Sequence, residues 1–225
     1  MIFKQYASSS SGNFYTLESQ NTTLLIEAGI PIADIKKHLN FNLHAVSGCL
    51  VSHEHGDHAK ACKDLLKAGV DVYTSAGTAE ALGLKSHRLH TIQAGVQFKV
   101  GCFVIMPFSI EHDCKEPLGF LISDGIDKLM FVTDTHYIKY TFKGLTKIAV
   151  ECNHSLELIA DLDPTRKKRL METHKSLETC IELLKANDLS KVTEIHLIHL
   201  SSQNSDTDGF RRTIENLTGI PKCIS

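Results

Sequence analysis

Apolar residues come in short strand-like runs over the first two thirds of the chain and at helical spacing after that. "IFKQY" (2–6), "FYTLES" (14–19) and "TTLLIEA" (22–28) read as strands, with "SSSSG" (8–12) as a tight turn between the first two. A helix is predicted over 31–40, where Pro31 suits a first-turn position. "SGCLVS" (47–52) reads as a buried strand that stops at a cluster of histidines. Ala61, Leu65 and Ala68 share one helical face within 58–69, and Gly69 marks its end. A strand at 70–74 and a short helix at 76–83 follow. Strands then dominate at 88–92, 96–100, 102–108, 118–124 and 128–133. The last third alternates: strand 147–152, helices within 155–171 and 173–187, strand 194–200, helix 207–217 and a final strand "KCIS". This order predicts an α/β (α+β) fold of two mixed sheets covered by helices.

Composition narrows the picture only a little. At 225 residues the chain is expected to form one domain, 1–225. A domain of that size can bury roughly 70–75% of its unfolded surface. The net charge of −2 decides nothing about an anionic partner, because a basic patch can sit on a neutral protein. No run approaches the ~18–20 apolar residues that cross a membrane, and "MIFKQYASSSSGN" is no secretory signal. The seven cysteines are scattered without a CxxC, which predicts reduced thiols and a cytoplasmic protein. Thirteen histidines are the unusual feature of the composition.

Three of these histidines crowd into "HEHGDH" (53–58) together with Glu54 and Asp57. In extended backbone, residues two apart point the same way, so His53 and His55 project together. Gly56 lets the chain turn, and Asp57 and His58 open a helix whose dipole favours the carboxylate. Imidazole with carboxylate suits zinc, manganese or iron. One loop cannot complete two metal shells, so further ligands are expected at other strand ends. His112, Asp134 and His199 each stand where an apolar run gives way to polar residues.

HxHxDH at 53–58, followed by His112, Asp134 and His199, resembles the metal motifs of the metallo-β-lactamase superfamily from Ser8 to about Asp206. The resemblance implies a four-layer αββα sandwich and two divalent ions, zinc or manganese. One ion would take His53, His55 and His112, the other Asp57, His58 and His199, with Asp134 bridging. Glu27 in "LLIEAG" stands where such proteins usually carry Asp, behind a ligand histidine. The β-lactamases lack the last histidine of the motif, and a diiron redox branch replaces the second by glutamate. Thioesterases and lactonases keep the motif.

"SSSSGN" (8–13), "ECNHSLEL" (151–158), "THKSLETC" (173–180) and "HLSSQNSD" (199–206) resemble blocks of the YycJ/WalJ-like metallohydrolases, with Cys152, Ser155, Thr173 and Lys175 as departures. That resemblance implies a phosphodiesterase, foremost a 5′-to-3′ DNA exonuclease using a metal-bridging hydroxide. Asp57 would orient the hydroxide, and His174 would protonate the leaving oxygen. Ser10, Ser11 and Asn13, and Arg166 and Lys167 in "RKKR", are expected to meet the substrate, with His154 bordering the site. Implied partners are nucleic acid with DNA favoured, a second copy of the chain, and repair or recombination proteins; no membrane is implied. The alternatives are a cyclic-nucleotide phosphodiesterase, a tRNA 3′-processing-like RNase and, more distantly, a thioesterase or lactonase.

Overall fold

The computed structural model describes residues 1–221 in full and the backbone of Cys223 and Ile224. Lys222 and Ser225, part of the expected last strand, lie outside the described residues. The chain begins with β1 (Ile2–Ser9), β2 (Gly12–Ser19) and β3 (Thr22–Ile26), then α1 (Ile32–His38), β4 (Val46–Leu50), α2 (Gly56–Ala59) and α3 (Cys62–Lys67). β5 (Val72–Thr74), α4 (Ala76–Ala81) and β6 (Leu89–Thr91) complete a six-stranded sheet of order β1-β2-β3-β4-β5-β6. Its first three strands run antiparallel and the rest join in parallel. Ser9 pairs with Gly12, so Ser10 and Ser11 form a two-residue hairpin loop, the tight turn that the serine run predicted.

The second sheet has seven strands in the order β13-β12-β11-β10-β9-β8-β7. They are β7 (Phe98–Val100), β8 (Phe103–Ser109), β9 (Leu118–Ser123), β10 (Lys128–Val132), β11 (Lys147–Glu151), β12 (Glu194–Ile198) and β13 (Cys223–Ile224). β10 to β13 are parallel, and every residue of β11 is buried, as expected of an inner parallel strand. The helices here are α5 (Pro164–Thr173), α6 (Leu177–Ala186) and α7 (Thr207–Thr218). Two mixed sheets with helices are what the hydrophobic pattern implied.

By their contacts, residues 1–109, 114–118 and 122–126 form one compact unit, and 110–113, 119–121 and 127–225 a second. In the first, Phe14, Leu25, Ile35, Cys49, Leu65 and Val72 are buried together in one cluster. In the second, Ile148, Val150, Ile195 and Leu197 fill the core of the parallel strands.

One helical expectation changes and two sharpen, each for a local reason. The helix predicted over 58–69 breaks into α2 and α3, because the Ala61 N–H donates to Ala28 O (2.8 Å) and so leaves the helical ladder. Residues 156–161 are turns, and the helix starts at Pro164, capped by Asp163, whose carboxylate accepts from the N–H groups of Thr165 and Arg166. Residues 174–176 are extended and pair with 153–154, so α6 begins at Leu177 after its Ser176 cap.

Candidate metal centre

In the first unit, the strand β4 delivers the chain into 51–55 and α2 carries the rest of the motif. His53 and His58 are fully buried, while His55 and Asp57 are half-buried. The His53 ring centroid lies 4.7 Å from that of His55 and 4.2 Å from that of His58. His58 Nε2 is 3.2 Å from Asp57 Oδ2. One loop therefore does gather three imidazoles and a carboxylate. Glu54 stays out of the set: its Oε1 accepts from Lys115 N–H (2.7 Å) and its Oε2 from the Thr78 hydroxyl (3.3 Å).

The segment 27–29 braces this loop from behind. Ala28 N–H donates to His58 O (2.7 Å), and Gly29 N–H to Asn13 O (2.9 Å). A Cβ on Gly29 would collide with the carbonyl of Asp57, so only glycine permits the close approach. Glu27 is fully buried, accepts from Ser52 N–H at 3.3 Å and stands 3.6 Å from His58 Nδ1. Its backbone sits at φ 63, in the left-handed region that non-glycine residues seldom occupy. Asn13, expected among the substrate contacts, is instead fully buried, with its amide close to Ser9 O, Asp57 O and His58 Nε2. Ser10 and Ser11 are exposed at the hairpin tip.

In the second unit the donors come from separate strand ends. Asp134 follows β10 at φ 50 and His199 follows β12 at φ 53, so both share the strained backbone of Glu27. Between them lies Glu151, the last residue of β11 and fully buried. Its Oε1 accepts from His174 Nδ1 (2.7 Å) and His199 Nδ1 (2.9 Å). Its Oε2 accepts from the backbone N–H groups of Thr135 and Lys175, both at 3.1 Å. Asp134 Oδ1 is 3.3 Å from His174 Nδ1, 3.5 Å from His199 Nδ1 and 4.0 Å from His112 Nε2. Asp134, Glu151, His174 and His199 each bring one donor atom within 4.8 Å of the others.

This network fixes protonation. A carboxylate can only accept, so the protons of His174 and His199 sit on Nδ1 and the basic lone pair is on Nε2. Burial resists a charge on Glu151, but the neighbouring His174 and the hydrogen bonds from both imidazoles outweigh it, and its pKa falls to about 2. Burial likewise pulls the His174 imidazole down, yet the Glu151 and Asp134 carboxylates outweigh it and the net shift is upward. Glu151 escaped the sequence reading; its one signal is an acid ending the otherwise apolar "KIAVE".

The donor set suits divalent ions. It is mostly imidazole with carboxylate, it is largely buried, and the proton of His199 is held away from Nε2 by an acid, the arrangement that metal-ligating histidines favour. His154 is fully buried, and neither ring nitrogen has a hydrogen-bond partner among the described residues. With His174 it lines a cavity of about 190 Å³. Burial first of all lowers its pKa. Arg166 and Lys167 lie on α5, where Arg166 donates to Gln203 Oε1 (2.8 Å) and Lys167 to Ala160 O (3.3 Å). The six described cysteines are free thiols, and no described helix is long and apolar enough to cross a membrane.

A family model described as "Beta-lactamase superfamily domain" matches residues 22–199. The chain is 27% identical to exodeoxyribonuclease YycJ of Bacillus anthracis, across 96% of this chain and 88% of that relative. It is 26% identical to exodeoxyribonuclease WalJ of Streptococcus pneumoniae serotype 2 (strain D39), across 93% and 85%. Among solved structures, the metallo-β-lactamase fold protein YhfI from Bacillus subtilis matches with a TM-score of 0.72 at 18% identity, covering 98% of this chain and 91% of that one. That likeness establishes the metallo-β-lactamase fold.

Proposed function

Because the chain belongs to the beta-lactamase superfamily domain family, we propose that it is a two-metal phosphodiesterase that degrades DNA from a 5′ end. The chain is a hydrolase of the metallo-β-lactamase fold. One observation carries the narrower reading: two relatives aligned along 93% or more of this chain are named exodeoxyribonucleases. The order of the motif supports His53, His55 and His112 as ligands of one ion. Asp57, His58 and His199 would hold the other, with Asp134 bridging.

When bound, zinc or manganese ions supply Lewis acidity, activate water near neutral pH and offset charge on the phosphate. The side chains do the rest. Asp57, half-exposed on α2, orients the attacking water. Glu151 locks the His174 ring through Nδ1 and so aims Nε2, which in the imidazolium form protonates the departing oxygen. Glu27 steadies His58, and Asn13 ties the hairpin of "SSSSGN" to the metal loop.

The test is purified enzyme with Mn²⁺ or Zn²⁺ on end-labelled duplex DNA, single-stranded DNA, RNA and cyclic nucleotides. Metal-dependent release of nucleotides from the 5′ end of DNA, absent in His55→Ala, is the expected result. Inert DNA beside rapid turnover of a cyclic nucleotide overturns the proposal. His174→Ala sharpens it: full activity in that variant points to carbonyl chemistry, which needs no such proton donor.

A further inference from the structure

Immediately after Asp134 the chain forms a loop, "THYIKYTFKG" (135–144), that the chemistry above leaves without a task. It alternates aromatic and basic residues and contains no acid. It borders a cavity of about 320 Å³ whose walls include His136, Tyr137, Ile138, Tyr140, Lys175 and Leu183. Tyr137 is 57% exposed, and Lys139 Nζ lies 5.2 Å from the centre of the Tyr140 ring. A buried ring nitrogen of His136, Nδ1, has no hydrogen-bond partner among the described residues.

The loop is pinned along its length. The amine of the buried Lys175 donates to His136 O (2.9 Å), and the Thr135 hydroxyl to Tyr137 O (2.8 Å). At the far end Phe142 N–H donates to Asn187 Oδ1 (2.8 Å). Rings presented by a fixed backbone lose little entropy when a flat ligand stacks on them. Tyr137 is three residues beyond Asp134, so their Cα atoms lie within about 11 Å of each other.

We propose that this cavity is a nucleobase site for a single strand, in which Tyr137 and Tyr140 stack a base while Lys139 and Lys143 meet the adjoining phosphates. Aromatic rings interleaved with cations are how proteins hold single strands without regard to sequence. Glu182 also lines the cavity, but the acid-free loop fits the polyanion, and the apolar wall of Ile138 and Leu183 fits the base rather than its phosphate. A base held one or two positions from Asp134 sets which phosphate is presented for cleavage. The proposal rests on the nucleic-acid reading above.

The test uses the whole chain with chelator, to stop cleavage, and two labelled 5′-phosphorylated probes: a ten-nucleotide thymidine oligomer and an abasic oligomer of equal length. The native chain is expected to bind the base-bearing probe about tenfold more tightly, a preference of the size stacking supplies. Tyr137→Ala and the Tyr137→Ala/Tyr140→Ala pair should lower that preference stepwise while leaving the abasic probe bound as before. Tyr→Phe at either position should keep it. An unchanged preference in the exposed Tyr137→Ala variant, or none in the native chain, overturns the base site and leaves the nuclease reading intact. If neither probe binds and neither is cut once Mn²⁺ is added, both fall together.

Discussion

The loop at 53–58 and the network around Glu151 solve the same problem in opposite ways. The loop packs four donors into one turn of chain and is held by backbone: Ala28 and Gly29 from behind, with the Asn13 amide alongside. The network draws His174 and His199 from segments far apart in sequence and orients both through one buried carboxylate. Contiguous donors need a loop of fixed shape, whereas dispersed donors need a shared acceptor. The first arrangement should fail through its backbone and the second through a single side chain.

The largest effect is expected where one atom serves most partners. Glu151→Gln keeps the shape but exchanges a carboxylate for a group with one acceptor and two donors, facing four donors. Turnover should fall by about 100-fold or more, since second-sphere partners of a metal histidine contribute 10–100-fold each and Glu151 serves His174 as well. Steady-state rates with metal content checked by elemental analysis would measure it; a loss below tenfold would show that packing, not Glu151, orients the rings. The acid limb of stability gives a second readout in metal-free protein. The depressed Glu151 pKa means that its contribution is complete above about 4.5 and disappears as pH falls towards about 2. Denaturant midpoints across that window should drop more steeply for the native chain than for Glu151→Gln.

Gly29→Ala probes the other region and should cost about 2 kcal/mol in unfolding free energy, because the new methyl meets the Asp57 carbonyl rather than a yielding side chain. The loop must shift to admit it, so metal affinity should fall with stability. A variant as stable as the native chain that loads metal equally would mean the backbone does not set the loop.

The same contrast explains what could be read from sequence. The proposed ligands at 53, 112, 134 and 199 were legible as candidates because each donor interrupts an apolar run. So were the two mixed sheets, since period-two and period-3.6 patterns reflect burial directly. What escaped was decided by long-range hydrogen bonds. Ala61 leaves its helix for Ala28 O and splits the helix expected over 58–69. Glu151 looked like an ordinary strand terminus; only the folded chain sets His174 and His199 at one oxygen. Asn13 looked like a substrate contact within a polar turn, yet the turn folds its amide inward against Asp57.

The smallest expected effect falls on Glu27, the buried acid behind His58. Glu27 is at φ 63, which Asp adopts more readily than Glu, so Glu27→Asp relieves a few tenths of a kcal/mol of backbone cost. Against that, the shorter side chain retreats from His58 Nδ1, already 3.6 Å away, and from the Ser52 N–H that it accepts at 3.3 Å. The two changes nearly cancel in stability, and the thermal midpoint should move by less than the equivalent of ~1 kcal/mol. Metal affinity should separate them: a carboxylate that orients His58 through that contact predicts weaker binding by up to about tenfold. Titrating Zn²⁺ into metal-free native and variant protein decides the matter. Equal affinities would mean that Glu27 serves only the backbone turn behind the loop, and that His58 takes its orientation from Asn13 and Asp57.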